Sequence, residues 1–392
     1  MPPADRARRH PYKLKAHRST VKPLYRQANF NKLADDLLVE DAVRIWVRGG
    51  DSQRPVNRTD DPDRWLSAVE SNMPITIQMG GGAEGPWPTS SSSQPSIMAN
   101  MLDALDPHRG HRVLEIGTGT GWNAALLCHR VGPDGRVLTI EVDPSIAETA
   151  TRNLRWAGYP AVVVTGDGVL GYPDGAPFDR VVSTAAIRDV VPPAWVQQLR
   201  PDGRLVTPWG TDWWNGFLLT LAMTGEGRAT GRFSGNLSFM RVRAQHSSLY
   251  GFEPDETEIG QATATTTECR GSDLAAMLDP DQALFAIGAR VPDCYRYLEW
   301  DHFGPRHHLL DLDDGRTRSF ARLEWDVSST APFTVRQLGA RRLWDEVEKA
   351  YVWWRDQGRP GMDRFGLEIN AGHQWLWLDS PDHPVRDLTE RP

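Results

Sequence analysis

Cysteine is scarce. Cys128, Cys269 and Cys294 are the only three in 392 residues, too few and too scattered for a disulfide framework or a zinc knuckle. No run of about 18 apolar residues occurs, which excludes a transmembrane helix. The N-terminus is charged with no apolar stretch behind it, so no secretory signal is expected. Lysine is rare beside arginine, a bias that reflects a GC-rich genome more than chemistry. These absences predict a reduced, cytoplasmic setting and no membrane partner.

The residues that are present form a proper core: 40% are hydrophobic, and 16 are tryptophan. The length suits two domains, or one with a large extension. The formal charge of −7 conceals an asymmetry. Residues 1–30 carry eight basic residues (Arg6, Arg8, Arg9, Lys13, Lys15, Arg18, Lys22 and Arg26) against Asp5. Residues 251–392 carry 26 acids and 16 bases. The arm could touch nucleic acid, but no aromatics interleave its first ten positions, and it reads as a solvated terminus. The acidic tail would repel phosphate, so nucleic acid is not expected as the main ligand.

Residues 31–48 have helical spacing, with Gly49-Gly50 as the stop. Residues 51–64 and 79–96 read as loops. From about residue 97, short apolar runs alternate with helical segments, the pattern of an α/β doubly wound parallel sheet. Strands are expected at 113–116, 137–141, 162–165, 178–184, 204–207 and 217–223. Helices are expected at 122–130, 144–157 and 193–199. Past 245 the rhythm stops, and the polar, Thr-rich stretch 252–272 looks like a boundary. A helix over 339–357, then Phe365, Leu367 and Ile369 alternating before a turn at 370–372 and a strand at 374–378, predict a small α+β C-terminal domain. The division is thus a basic arm (1–30), a catalytic domain with an N-terminal helical cap (31–245) and an extension (246–392). Seven tryptophans fall in residues 300–377; they either line a peptide groove or pack a small core, the second being the simpler reading.

Between a strand and a helix lies Glu115-Ile116-Gly117-Thr118-Gly119-Thr120-Gly121. Glycines there let the backbone turn tightly and approach a ligand. The spacing G-x-G-x-G departs from the dinucleotide fingerprint, which favours a ligand without pyrophosphate, such as S-adenosylmethionine. Glu141, ending the next strand, can accept both ribose hydroxyls. Asp167, after the third strand, is placed for the adenine amine. Without a ligand these would be a glycine turn and two capping acids.

The segments Ser93-Gln94-Pro95-Ser96-Ile97-Met98-Ala99, Val113 to Leu127, Gly166-Asp167-Gly168-Val169-Leu170-Gly171-Tyr172-Pro173 and Ala176-Pro177-Phe178-Asp179 through Thr184-Ala185-Ala186 occur in that order. With Gln198-Leu199, Gly203-Arg204-Leu205-Val206 and Pro208-Trp209-Gly210, they resemble protein L-isoaspartate O-methyltransferases over about residues 85–225. The resemblance implies a Rossmann-like fold and an S-adenosylmethionine-dependent carboxyl methyltransferase, leaving S-adenosylhomocysteine as product. The family's catalytic serine falls on Ser93, within a serine run that would otherwise pass for a low-complexity linker. The cofactor would lie against Glu115, Gly117, Thr118, Gly119, Gly121, Glu141, Asp167, Gly168 and Thr184. The substrate, a peptide or protein containing aspartate or isoaspartate, would lie against Ser91, Ser92, Gln94, Pro95, Trp122, Ala185 and Ala186.

The chain departs from the family in three places: Trp122 where a tyrosine is usual, Ser96 where an aromatic or histidine is usual, and Ile187-Arg188-Asp189 in place of a short apolar turn. Residues 246–392 look foreign to the repair enzymes and resemble the extension of homologues acting on ribosomally made peptide natural products, the lanthipeptide, lasso and graspetide systems. That implies methylation of a peptide aspartate followed by aspartimide formation, with the extension recognising the peptide. General isoaspartate repair and a degenerate, non-catalytic peptide binder are the alternatives; intact Gly117, Gly119, Glu141 and Asp167 speak against the second. A nucleic-acid methyltransferase would carry an Asn/Asp-Pro-Pro-aromatic element near the fourth strand, where Ser183-Thr184-Ala185-Ala186 stands. Asp301, His302, His307 and His308 could in principle bind a metal but read as surface polar residues, and no metal is expected.

Overall fold

The computed structural model describes residues 45–49, 52–80, 87–225, 227–245, 252–300, 307–326 and 331–389. The basic arm and most of the expected helix at 31–48 lie outside them. The chain divides into two compact units. The first holds residues up to Ala185, with Pro192–Thr207 and Ala222–Glu226; the second holds Ala186–Val191, Pro208–Leu221 and Gly227–Pro392.

In the first unit, β1 (Ile45–Gly49), β2 (Ser52–Val56), β3 (Ile75–Met79) and β4 (Pro88–Ser92) form an antiparallel sheet in the order β2-β1-β3-β4. Helix α1 (Pro62–Val69) starts at Asp61, whose carboxylate accepts from the Arg64 amide, and carries Pro62 in its first turn. Its Trp65 and Val69 pack with Ile45, Val56 and Ile75. Residues 45–48 are therefore strand, not the end of a helix, and the two expected loops contain β2, the start of α1 and β4. Sequence spacing misled here because a few apolar residues over a short span satisfy either period.

The doubly wound sheet is as expected. Strand β5 (Arg112–Ile116) pairs in parallel with β6 (Arg136–Glu141) and β8 (Phe178–Ser183); β6 pairs with β7 (Val162–Thr165), and β8 with the first part of β10 (Leu199–Gly210). The central strands are buried on both faces, which is why Val113, Leu114 and Ile116 form an apolar run interrupted only by Glu115. Helices α2 (Pro95–Leu105), α3 (Trp122–Val131), α4 (Pro144–Trp156) and α5 (Pro193–Gln197) connect the strands. Among the described residues no helix is long and apolar enough to cross a membrane.

The second unit is richer than the appendage expected. In it the short β9 (Ile187–Arg188) pairs in parallel with Trp209 and Gly210, and its part of β11 (Phe217–Gly225) neighbours β12 (Arg228–Asn236), followed in hydrogen-bonded order by β18 (Phe365–Asn370), β19 (His373–Leu378) and β20 (Pro384–Asp387). A second antiparallel sheet runs β13 (Thr263–Thr267), β17 (Phe333–Leu338), β16 (Ser319–Asp326), β15 (His307–Asp314), β14 (Tyr295–Glu299). Helices α6 (Glu256–Gln261), α7 (Gly271–Leu278), α8 (Leu284–Arg290) and α9 (Leu343–Asp356) complete it. The Thr-rich stretch is thus α6 and β13 rather than a linker. Because β12 pairs with β18 over five residues, the second unit includes chain well before residue 246.

Trp325, Trp344, Trp354 and Trp377 are core residues of this unit. Phe285 stands at the centre of an aromatic cluster with Trp209, Phe217, Phe233 and Phe365, at ring-centroid distances of 5.8, 4.9, 4.7 and 4.8 Å. His308 packs edge-on to Trp300 and Trp325, and His307 faces Asp326 at 3.6 Å; Asp301 and His302 lie outside the described residues. All three cysteines are free thiols.

Candidate active site

The glycine loop follows β5. Gly117, Gly119 and Gly121 all adopt positive φ (93°, 55° and 89°), where a side chain would be strained. Space is short as well. A Cβ on Gly117 would stand 2.7 Å from Thr184 Oγ1, and one on Gly121 3.1 Å from the Leu154 side chain. The loop is fastened from several sides. Thr184 donates its hydroxyl to the Gly117 carbonyl (2.6 Å), Asn153 of α4 donates to the Thr120 carbonyl (3.0 Å), and the Thr118 and Thr139 hydroxyls share a 2.7 Å bond.

Glu141 closes β6, and each of its oxygens receives one backbone N–H: Oε2 from Gly119 at 3.0 Å and Oε1 from Asp143 at 3.1 Å. A carboxylate oxygen accepts more than one bond, so the pair retains lone pairs for two vicinal hydroxyls. Asp167 is exposed beyond β7 and accepts from the Val169 amide at 3.0 Å. Beside these acids stand two exposed apolar side chains that the sequence reading passed over, Val142 at 41% exposure and Leu170 at 65%. Exposed apolar residues are individually ordinary; only their position next to Glu141 and Asp167 marks them. Gly168 is buried, its carbonyl accepting from the Trp195 indole at 2.8 Å.

Glu115 lies beneath the loop, completely buried. Burial pushes its carboxyl up to about 7, against the hydrogen bonds from Asn123 and Thr139. Asn123 donates to its Oε1 at 2.7 Å. Glu115 thus supports the loop from within the core.

The serine run is strand β4, not a linker. Ser92 pairs with Ile75, Ser91 with Thr76 and Ser90 with Gln78. Ser92 is buried, whereas Ser93, one residue past the strand and just before α2, is half-buried. The backbone carbonyl of Ser91 lies 3.3 Å from where a Cβ on Gly119 would be, so the serine strand is brought directly against the glycine loop. Gln94 stands at the N-cap position of α2 without a side-chain capping bond, with Pro95 in the first turn. These residues, Glu141, Asp167 and Thr184 all belong to the first unit.

Two expected substrate contacts are placed otherwise. Trp122 is only 4% exposed, because it opens α3 and turns into the core. Ala186 is buried in the second unit, exchanging backbone hydrogen bonds with Met240 and Val242. Ala185 donates its amide to Ser183 Oγ at 3.2 Å.

The departure Ile187-Arg188-Asp189 is part of an ion network within the second unit. Arg188 Nη2 meets Asp212 at 2.6 Å and Asp293 at 2.5 Å; Arg241 meets Asp212 at 2.8 Å; Arg386 meets Asp189 at 3.1 Å. Burial raises the Asp189 carboxyl despite its arginine partner.

Residues 62–239 match the family model described as protein-L-isoaspartate(D-aspartate) O-methyltransferase. The protein-L-isoaspartate O-methyltransferase of Methanococcoides burtonii is 33% identical over 214 residues, which is 54% of this chain and the whole of that one. The chain belongs to the protein-L-isoaspartate O-methyltransferase family. The family's S-adenosylmethionine-dependent, Rossmann-like fold is the one expected from the glycine loop. The corresponding protein of Methanopyrus kandleri is 46% identical over 120 residues, 30% of this chain and 53% of that protein. The chain spans about half the length of that relative and of the Ignicoccus hospitalis one, 53% and 55%.

A solved structure titled protein-L-isoaspartate O-methyltransferase aligns with 91% of this chain and 100% of its own, at a TM-score of 0.50 and 18% identity. Such coverage reaches well past residue 239. The C-terminal region, expected to be foreign to isoaspartyl methyltransferases, therefore has a counterpart in fold in a protein of that title. Its sequence had given no sign of this, because fold outlasts sequence likeness.

Proposed function

We propose that the protein is an S-adenosylmethionine-dependent carboxyl O-methyltransferase acting on an aspartyl or isoaspartyl side chain or carboxylate in a peptide. The observation that carries this reading is the approach of the serine strand to the glycine loop at Gly119, whose amide is held by Glu141. It sets the strand that leads into Ser93 against the loop whose amide is held by the acid that would hold a ribose. The residues fit the cofactor: a glycine turn at positive φ where a Cβ on Gly117 or Gly121 would be crowded, a buried acid with spare lone pairs, and an exposed acid three residues before the exposed Leu170.

When bound, the cofactor supplies an electrophilic methyl group on a sulfonium. The chain's part is alignment. A peptide carboxylate is already ionised at neutral pH, so no strong general base is needed. Ser93 donates a hydrogen bond to one carboxylate oxygen and leaves the other aimed for in-line attack. Glu141 and Asp167 fix the other reactant. The product ester has a better leaving group than a carboxylate. The next backbone nitrogen then attacks it, methanol departs, and a five-membered aspartimide forms.

In this reading the natural substrate is a dedicated ribosomal peptide, and the second unit selects it. Its support is the charged Arg188–Asp189 segment standing where the family has an apolar turn. General isoaspartate repair is the second reading, favoured by the likeness in fold that extends over 91% of the chain.

The deciding experiment incubates the protein and S-adenosylmethionine with isoaspartyl and aspartyl versions of one model peptide. Gain of a CH2 group by mass spectrometry, then net loss of one water, is expected. Absence of methyl transfer to either version would overturn the reading. Broad turnover of unrelated isoaspartyl peptides would favour repair.

A further inference from the structure

Gln78 takes part in neither half of the site as expected from sequence, yet it joins them. It sits on β3, is buried, and is opposite the serine strand. Its side-chain carbonyl accepts from the Thr89 hydroxyl at 2.8 Å. Its amide nitrogen donates to Asp143 Oδ2 at 2.9 Å, a contact across 65 residues of sequence. Thr89 lies at an irregularity of the β3–β4 ladder, where a displaced residue re-aims its side chain.

Asp143 is in turn fully engaged. Its Oδ1 caps α4, accepting from the Ser145 amide at 3.0 Å, the Ser145 hydroxyl at 2.7 Å and the Ile146 amide at 3.3 Å. Its own amide donates to Glu141 Oε1 at 3.1 Å, and the other oxygen of Glu141 holds the Gly119 amide at 3.0 Å. An unbroken line of hydrogen bonds thus runs from the serine strand through Thr89, Gln78, Asp143 and Glu141 to the glycine loop. Partly desolvated lines of this kind are stiff, because a member left unpaired in the interior is costly.

We propose that Gln78 is a positioning residue that couples occupancy of the Glu141–Gly119 site to the placement of Ser93, so that bound cofactor orders the serine strand for the peptide carboxylate. The inference rests on the cofactor and serine assignments made above. The side-chain amide suits the task because it receives from Thr89 with one end and donates to Asp143 with the other. A carboxylate could not donate, and a leucine could do neither. Coupling of this kind is reciprocal: peptide would tighten cofactor binding by the same factor.

The test compares wild type with Gln78→Leu, Thr89→Val and the double variant. Calorimetry with S-adenosylhomocysteine, and with an isoaspartyl peptide in its presence and absence, gives the coupling factor. In wild type that factor should lie within roughly 5 to 150. In Gln78→Leu it should fall to near one, while affinity for S-adenosylhomocysteine alone stays within about threefold, far less than the tenfold that 1.4 kcal/mol represents. Thr89→Val should lose much of the coupling, and the double variant little more than Gln78→Leu.

Retained coupling in Gln78→Leu, or no coupling in wild type, would overturn the proposal. Hydrogen exchange on the ligand-free protein provides a measurement independent of binding. Gln78→Leu should speed exchange at Ser91 and Ser92 together with Gly119, Ser145 and Ile146. Acceleration confined to the hairpin would overturn the connection. Failure of wild type to bind S-adenosylhomocysteine would instead sink the cofactor reading and leave the exchange result to judge Gln78.

Discussion

The amide of Gly119 donates to Glu141 Oε2 at 3.0 Å, so the acid that ends β6 also sets the shape of the turn that follows β5. A residue that both binds and shapes cannot be replaced without two losses. Glu141→Ala should weaken S-adenosylhomocysteine binding by at least roughly 100-fold, two charge-assisted hydrogen bonds being worth about 1.5–3 kcal/mol each in favourable cases. Glu141→Gln, which keeps one acceptor oxygen, should fall between. Calorimetry checks both; an unaltered affinity in Glu141→Ala would contradict the assignment.

Gly117→Ala places a methyl group 2.7 Å from Thr184 Oγ1 on a backbone at φ 93°. The loop must yield or the threonine must move. Cofactor affinity should drop at least about tenfold, or 1.4 kcal/mol. The further change Thr184→Ser keeps the hydroxyl and should not restore binding, whereas Thr184→Ala in the same background should recover part of it.

Ser93→Ala should lower kcat by roughly 10- to 150-fold, the value of one hydrogen bond to a charged group. Binding of S-adenosylhomocysteine should be unchanged. Steady-state kinetics beside calorimetry separates the two, and parallel loss of both would remove Ser93 from the proposed role.

Burial raises the Glu115 carboxyl to about 7 in the folded chain, above its ordinary 4.5. The folded state therefore holds more protons than the unfolded one between those values, and stability falls as pH rises through the interval. The loss should approach roughly 3 kcal/mol above pH 7, at about 1.4 kcal/mol for each tenfold ratio. Glu115→Gln accepts the same bond from Asn123 and has no proton to lose. Its melting temperature should gain on wild type from pH 5 to about pH 7 and level off above that; parallel curves through the interval would show that Glu115 does not titrate there.

In the second unit, Phe285→Ala should cost about 3–5 kcal/mol by leaving a cavity among four aromatic rings. Chemical denaturation measures it. A loss below about 1 kcal/mol would mean that the cluster collapses to fill the space.

The sequence disclosed the parallel sheet because its strands are buried on both faces and stand out as short apolar runs between capped helices. It marked Glu141 as a candidate because an acid ends the strand that follows the glycine turn and its helix. It concealed β4, since threonine and serine with prolines nearby have the composition of a loop; only pairing with β3 makes them a strand. Gln78 was invisible because its partner Asp143 lies 65 residues away, and Thr89 because it acts through Gln78. Trp122 was misplaced because motif position predicts which turn a residue occupies but not which way its side chain leaves it. In the second unit β18 and β19 were legible, because Phe365, Leu367 and Ile369 alternate ahead of a turn, whereas β13 to β17 were not.

The serine run has a consequence for inheritance of errors. Ser90 to Ser93 are chemically identical, so nothing in those side chains distinguishes one alignment of the strand from the next. The alignment is instead dictated from the ends, by Thr89 on Gln78 and by Pro95 opening α2. Loss of a single serine would leave the composition almost untouched, yet the remaining hydroxyls would shift by about 3.3 Å and exchange inward for outward positions. A deletion that looks synonymous by content would then be a null allele by geometry.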